Sequence, residues 1–207
     1  SSTQATCTTT AHVAGLVDVL FTNSDGQSDT LSNGYTYQSA PSVASITPSS
    51  GPLAGGTAVT VAGGNFLAGA TVTFGGVPCG SVTVDSAAQI TCTIPSHAAG
   101  LVDIVVTNND GQLGTLPNGY TYQAAPVLSS LSPVSGVLAG GTSVTLTGTG
   151  FLPGATVTFD GSLCTSINVS SSTSITCNTP VHAAGTINVV VTNPDSQSST
   201  LTNAYTY

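Results

Sequence analysis

Lysine, arginine, glutamate, methionine and tryptophan are all missing from these 207 residues, and the eight acidic side chains are aspartates without exception. Charged residues amount to 4%, where an ordinary soluble domain carries roughly 25%. Ion pairs therefore cannot organise the fold, and surface polarity has to come from Thr, Ser, Asn, Gln and the backbone. The formal charge is −8, and three His are the only possible side-chain cations. That excludes nucleic acid, whose phosphates are bound when Lys and Arg displace counterions, and adhesion to anionic membranes. Trypsin-like proteases find no cleavage site even in the unfolded chain. No run of 18 apolar residues occurs, so no segment reads as a membrane-spanning helix. No secretory leader is visible, and none is expected in a chain that opens in the middle of a repeat.

Hydrophobic residues make up 40% of the chain, too many for disorder, which joins weak hydrophobicity to high charge. They fall in a repeat. "GLVDVLFTNSDGQSDTLSNGYTY" at 15–37 returns as "GLVDIVVTNNDGQLGTLPNGYTY" at 100–122 and as "GTINVVVTNPDSQSSTLTNAYTY" at 185–207. Cys7, Cys92 and Cys177 are 85 residues apart, as are His12, His97 and His182, and Tyr37, Tyr122 and Tyr207. No insertion or deletion interrupts the period. The expected organisation is the C-terminal half of a domain at 1–37, whose front half is missing, then complete domains at 38–122 and 123–207.

Within a unit the periodicity is two, the mark of strands with one buried face. Val59 and Val61 alternate with Ala58, Thr60 and Ala62; Val72 and Phe74 with Thr71 and Thr73; Ile90, Cys92 and Ile94 with Thr91 and Thr93. Val102, Ile104 and Val106 share a face, and Asp103 turns outward. Turn formers break these runs at short intervals, and no 10 to 15 residue helical pattern is available for crossovers. The fold class expected is all-β, with about seven strands per 85-residue unit in immunoglobulin-like sandwiches.

The stretches "SITPSSGPLAGGTAVTVAGGNF", "ATVTFGGVPC", "ITCTIPSHAAG" and "VDIVVTNNDGQ…NGYTY" resemble the IPT/TIG domain, an immunoglobulin-like module. The resemblance rests on Pro followed by a Gly-Gly-Thr strand start, the steps Asn65-Phe66 and Gly150-Phe151, the paired Cys and the closing Tyr-x-Tyr. It covers essentially the whole chain. It implies stalks, adhesins and receptor ectodomains, a dimerisation module in some transcription factors, or an accessory module of some polysaccharide-acting enzymes. The absence of Lys and Arg removes the transcription-factor branch.

Each complete unit holds two Cys thirteen residues apart, Cys79 with Cys92 and Cys164 with Cys177. One follows a strand and the other points inward on the next, which predicts an intradomain disulfide in each unit. Metal binding is the rival, but the spacing lacks the close Cys-x2-Cys clamp of structural zinc sites. Evenly recurring pairs imply an oxidising, extracellular or cell-surface location. Cys7 is unpaired in this window, and its repeat-mate falls before Ser1. The last three strands of a unit are expected within 1–37. They could not form a core alone, so Val17, Val19 and Phe21 are expected to be covered by chain N-terminal to Ser1 or by a neighbouring subunit.

No residue set reads as catalytic. His12, His97 and His182 sit among Ala and Gly at equivalent turns, without an adjacent Asp. Asp25, Asp110 and Asp195 recur in turn sequences; a weak Ca²⁺ site using Asp110 with Asn oxygens is the rival, although calcium takes six to eight oxygens. Tyr120 with Tyr122 and Tyr205 with Tyr207 share a strand face, where they pack the end of the domain, contact the next domain or offer a glycan-stacking platform. Asn168-Val169-Ser170 is the one N-glycosylation sequon. Linkers of "QSA" and "QAA" are too short for free swinging. No cofactor is expected.

The expectation is a non-catalytic extracellular module, a stiff tandem spacer or filament-forming segment of a surface protein, partnered by adjoining repeats or other copies of itself. The alternative is an adhesive or glycan-binding module recognising cell-surface glycans, accessory to a polysaccharide-active enzyme.

Overall fold

The computed structural model describes residues 3–207, which form strands and turns with no helix. The alternating stretches become strands. The first unit contributes β1 (Gly15–Thr22) and β2 (Ser28–Tyr37), an antiparallel hairpin. The second holds β3 (Ser42–Thr47), β4 (Ser50–Pro52), β5 (Ala58–Gly64), β6 (Thr71–Phe74), β7 (Val77–Pro78), β8 (Gly80–Ser86), β9 (Gln89–Thr93), β10 (Gly100–Thr107) and β11 (Leu113–Gln123). They build two sheets, β3-β5-β9-β8 and β4-β11-β10-β6-β7. The third repeats the plan with β12 (Val127–Ser132), β13 (Ser143–Thr149), β14 (Thr156–Phe159), β15 (Ser162–Leu163), β16 (Thr165–Ser171), β17 (Ser174–Asn178), β18 (Thr186–Thr192) and β19 (Ser198–Thr206), in sheets β12-β13-β17-β16 and β15-β14-β18-β19.

Each pair of sheets encloses one core. In the second unit Val59, Val61, Val72, Phe74, Ile90, Ile104 and Val106 are buried together, and in the third Val144, Leu146, Val157, Phe159, Ile175, Val189 and Val191 are their counterparts. Each such side chain contributes about 1.5–3 kcal/mol of apolar transfer. Phe74 meets Tyr120 edge to face at 5.4 Å, and Phe159 meets Tyr205 at 5.2 Å, a favoured aromatic geometry. Cys79 is bonded to Cys92 and Cys164 to Cys177, with Cα atoms 6.1 and 6.0 Å apart. Each bridge ties the crossing between sheets to strand β9 or β17.

The first unit differs from expectation. Only two strands form there, and the stretch around Cys7 is not a strand. A strand needs a ladder partner, and the counterparts of β5 and β8, which flank the corresponding strand β9 in the second unit, are not in the described chain. The Cys7 thiol is free and exposed. On the hairpin Val19 is 42% exposed and Phe21 53%, while their equivalents Ile104 and Val106 are fully buried.

Candidate functional site

The residues that recur with chemistry of their own gather where one unit meets the next. The turn between the last two strands reads Asn-x-Asp-x-Gln in all three units. In the second, the Asn108 amide N–H donates to Gln112 O at 2.9 Å, and Gly111 N–H to Asn108 O at 3.0 Å. The Asn108 side chain is buried, accepting from Leu67 N at 3.1 Å and donating to Asn65 O at 2.8 Å. Asn193 repeats this with Leu152 N at 3.2 Å and Gly150 O at 2.8 Å. Buried amides so paired fix the turn to the opposite sheet.

On that frame Asp110 holds Gln112. Its Oδ1 accepts from Gln112 N at 3.0 Å and its Oδ2 from Gln112 Nε2 at 2.9 Å. Those bonds, the side-chain one first, hold the Asp110 carboxyl below its ordinary value, because donors to the anion favour the charged form. The oriented Nε2 then donates to the carbonyl of Gln38, in the linker from the first unit, at 3.3 Å. The second junction is the same: Asp195 takes Gln197 N at 3.1 Å and Nε2 at 2.8 Å, and Nε2 donates to Gln123 O at 3.0 Å. Asn65 Nδ2 adds a bond to Ala40 O at 3.1 Å, a contact that Gly150, its equivalent, cannot make. The turn also faces the end of the preceding unit. Asp110 and Gln112 share a cleft with His12, Tyr35 and Tyr37, and Pro194, Asp195 and Ser196 share one with Pro48, Ser50 and Thr57.

The end of each unit presented to this turn is itself packed. His12, His97 and His182 stack on Tyr37, Tyr122 and Tyr207 at 5.0 Å. The His97 Nδ1–H donates to Ala98 O at 2.9 Å, and His182 does so to Ala183 O at 2.9 Å. The hydroxyls of Tyr122 and Tyr207 donate to Pro95 O and Pro180 O, each at 2.8 Å. Tyr120 and Tyr205 lie deeper, against Gly51 and Gly136 with Thr57 and Thr142 alongside, and a Cβ on either glycine would collide with the phenol. Burial pushes the Tyr120 phenol up to about 12, outweighing a Thr57 contact that lowers it.

Two rival readings of the sequence concern residues of this site. Tyr120, Tyr122 and Tyr205 are fully buried or nearly so, so none of them offers a ring face to a sugar; they pack the end of the unit. Both Asp110 oxygens, the ones suggested for calcium, accept a hydrogen bond from Gln112, and no group of three His, Cys, Asp or Glu side chains lies together among the described residues. Asn108, Gln112 and their third-unit counterparts escaped sequence reasoning, which stopped at the turn-forming Asp. The recurrence of Asn and Gln at fixed offsets from it was the available signal.

Residues 41–122 and 126–207 match the IPT/TIG domain family. The chain belongs to that family. Among its relatives, human fibrocystin-L is 33% identical over 182 residues, covering 84% of this chain but 4% of that protein. Plexin-2 of Caenorhabditis briggsae is 34% identical over 113 residues, 53% of this chain and 6% of that one. A solved structure of the plexin A4 extracellular region is similar at 29% identity and a TM-score of 0.49, over 81% of this chain and 18% of that one. The chain thus spans a small part of the proteins it matches. With a disulfide in each of its two IPT/TIG domains, it is an extracellular tandem of immunoglobulin-like sandwiches.

Proposed function

We propose that the chain is a non-catalytic, stiff spacer whose successive units are held end to end, a structural segment of a surface or fibre protein. One observation carries this reading: at both junctions a Gln oriented by an Asp donates to a main-chain carbonyl where the preceding unit ends, Gln112 to Gln38 just after β2 and Gln197 to Gln123 at the end of β11. A carbonyl so held by the following unit restrains the joint, and only a few residues separate the strands on either side. Adjoining repeats, or other copies presenting the same end and the same turn, are the partners this arrangement suits. Neither face of the junction carries a lysine or arginine, so contact does not depend on pairing with either.

Small-angle X-ray scattering of the whole chain tests it. The wild type should keep one extended maximum dimension between low and high salt, and the Gln112→Ala/Gln197→Ala variant should give a shorter, broader distribution. A wild-type profile already matching that of the variant would mean the units move independently.

A further inference from the structure

We propose that Asn168 is N-glycosylated, and that its glycan shields a sheet edge that carries no charge. The chain's single sequon, Asn168-Val169-Ser170, falls within β16, an end strand of the sheet β12-β13-β17-β16. Ile167 and Val169 turn inward and pack against the core. Asn168 and Ser170 alternate with them and are exposed. The Asn168 side-chain amide has no hydrogen-bond partner in the protein among the described residues, and its neighbour across the ladder is Thr176. A glycan there projects into solvent without disturbing a buried contact.

The second unit shows what this edge otherwise requires. At the equivalent places β8 carries Thr83, Val84 and Asp85. Asp85 sets a carboxylate on the edge, 3.4 Å from Gln89 Nε2 and 3.4 Å from Thr91 Oγ1. Charge on an end strand opposes pairing with another chain. In the third unit Ser170 stands where Asp85 does and Ser174 where Gln89 does, so β16 has no charge at all. In a molecule without Lys or Arg to spare, a hydrated oligosaccharide supplies the missing obstruction. Lateral strand pairing is then blocked on this side, while the ends of the units stay open.

The modification joins the Asn168 Nδ2 to the anomeric carbon of a lipid diphosphate-linked oligosaccharide. The bond from that carbon to the phosphate oxygen breaks, the lipid diphosphate leaves, and one amide proton passes to solvent. In the folded chain the Ser170 hydroxyl donates to Ser174 O at 3.1 Å, so the sequon is fully available only before the β16–β17 turn closes.

The test is secretion of the whole chain from insect cells, with intact mass read before and after peptide-N-glycosidase and chymotryptic mapping of position 168. The proposal expects one N-glycan, absent in both Asn168→Gln and Ser170→Ala, and Asp at 168 after release. A secreted wild type whose mass the glycosidase does not change overturns it. The shielding role has its own arm, read by light scattering. Asn168→Gln should associate laterally, whereas Ser170→Asp, which also lacks the sequon but restores the Asp85 charge, should not. If Asn168→Gln stays as dispersed as the glycosylated protein, the shielding role is wrong.

Discussion

Gly51 shows how a single residue sets the packing at the end of a unit. It leaves room for the Tyr120 hydroxyl, as Gly136 does for Tyr205. Gly51→Ala should lower stability by about 1–3 kcal/mol through overpacking. Gly80→Ala, where a new methyl meets only Thr93 at ordinary contact distance, should shift the urea midpoint little. The buried phenol also predicts a pH effect. Its value rises from 10.0 unfolded to about 12 folded, so the unfolded chain ionises first. The contribution of this phenol to stability is full below about pH 10 and lost as pH rises toward 12. Burial raises Tyr122 and Tyr207 in the same direction. Urea midpoints across this range should fall less steeply in Tyr120→Phe than in the wild type; identical slopes would place the effect elsewhere. At this scale the sequence was only partly legible. Asp103 is exposed, as the alternation predicts, but its carboxylate also accepts from Asn118 N at 2.7 Å. It thereby braces a positive-φ residue of β11 near a register shift. Nothing in a period-two pattern reports a bond made across strands to the backbone.

Strands were legible wherever apolar and polar residues alternate over four or more positions, as in β5, β6, β9 and β10. The two- and three-residue strands β4, β7 and β15 were not, because they exist only through their ladder neighbours. The stretch around Cys7 makes the converse point: it has the composition of β9 but no strand beside it. The hairpin β1–β2 and its counterpart β10–β11 differ in covering more than in sequence, and exchange should reveal it. Backbone amides of Ile104 and Val106 should exchange with deuterium far more slowly than those of Val19 and Phe21, since an isolated hairpin is marginally stable. Equal protection would mean that the hairpin is covered in solution. The disulfides act on the same scale. Replacing Cys164 and Cys177 with Ala should cost about 3 kcal/mol by restoring freedom to the unfolded loop, seen as a lower urea midpoint for the third unit.

For the whole molecule, the 85-residue period is plain in the sequence, and the fold followed from strand alternation together with the family resemblance. The junction was not legible, because its key bonds join side chains to main-chain carbonyls that any residue would supply. A molecule held together without Lys or Arg should also be indifferent to salt: its thermal midpoint should change little between low and high NaCl, and a large shift would reveal charge pairing beyond the one close His–carboxylate contact, His182 Nε2 to Asp160 Oδ2 at 3.7 Å. Protonating Asp110 should loosen the first junction only in acid. Its value is lowered by Gln112, so the grip is present above the ordinary 3.8 and lost as pH falls through the lower folded value. The most direct test places spin labels on the second and third units, at exposed Thr71→Cys and Thr156→Cys in a Cys7→Ser background, and measures their distance distribution by pulsed dipolar spectroscopy. Fixed end-to-end units predict one narrow distance that broadens in Gln197→Ala; a wild-type distribution as broad as the variant's would contradict it.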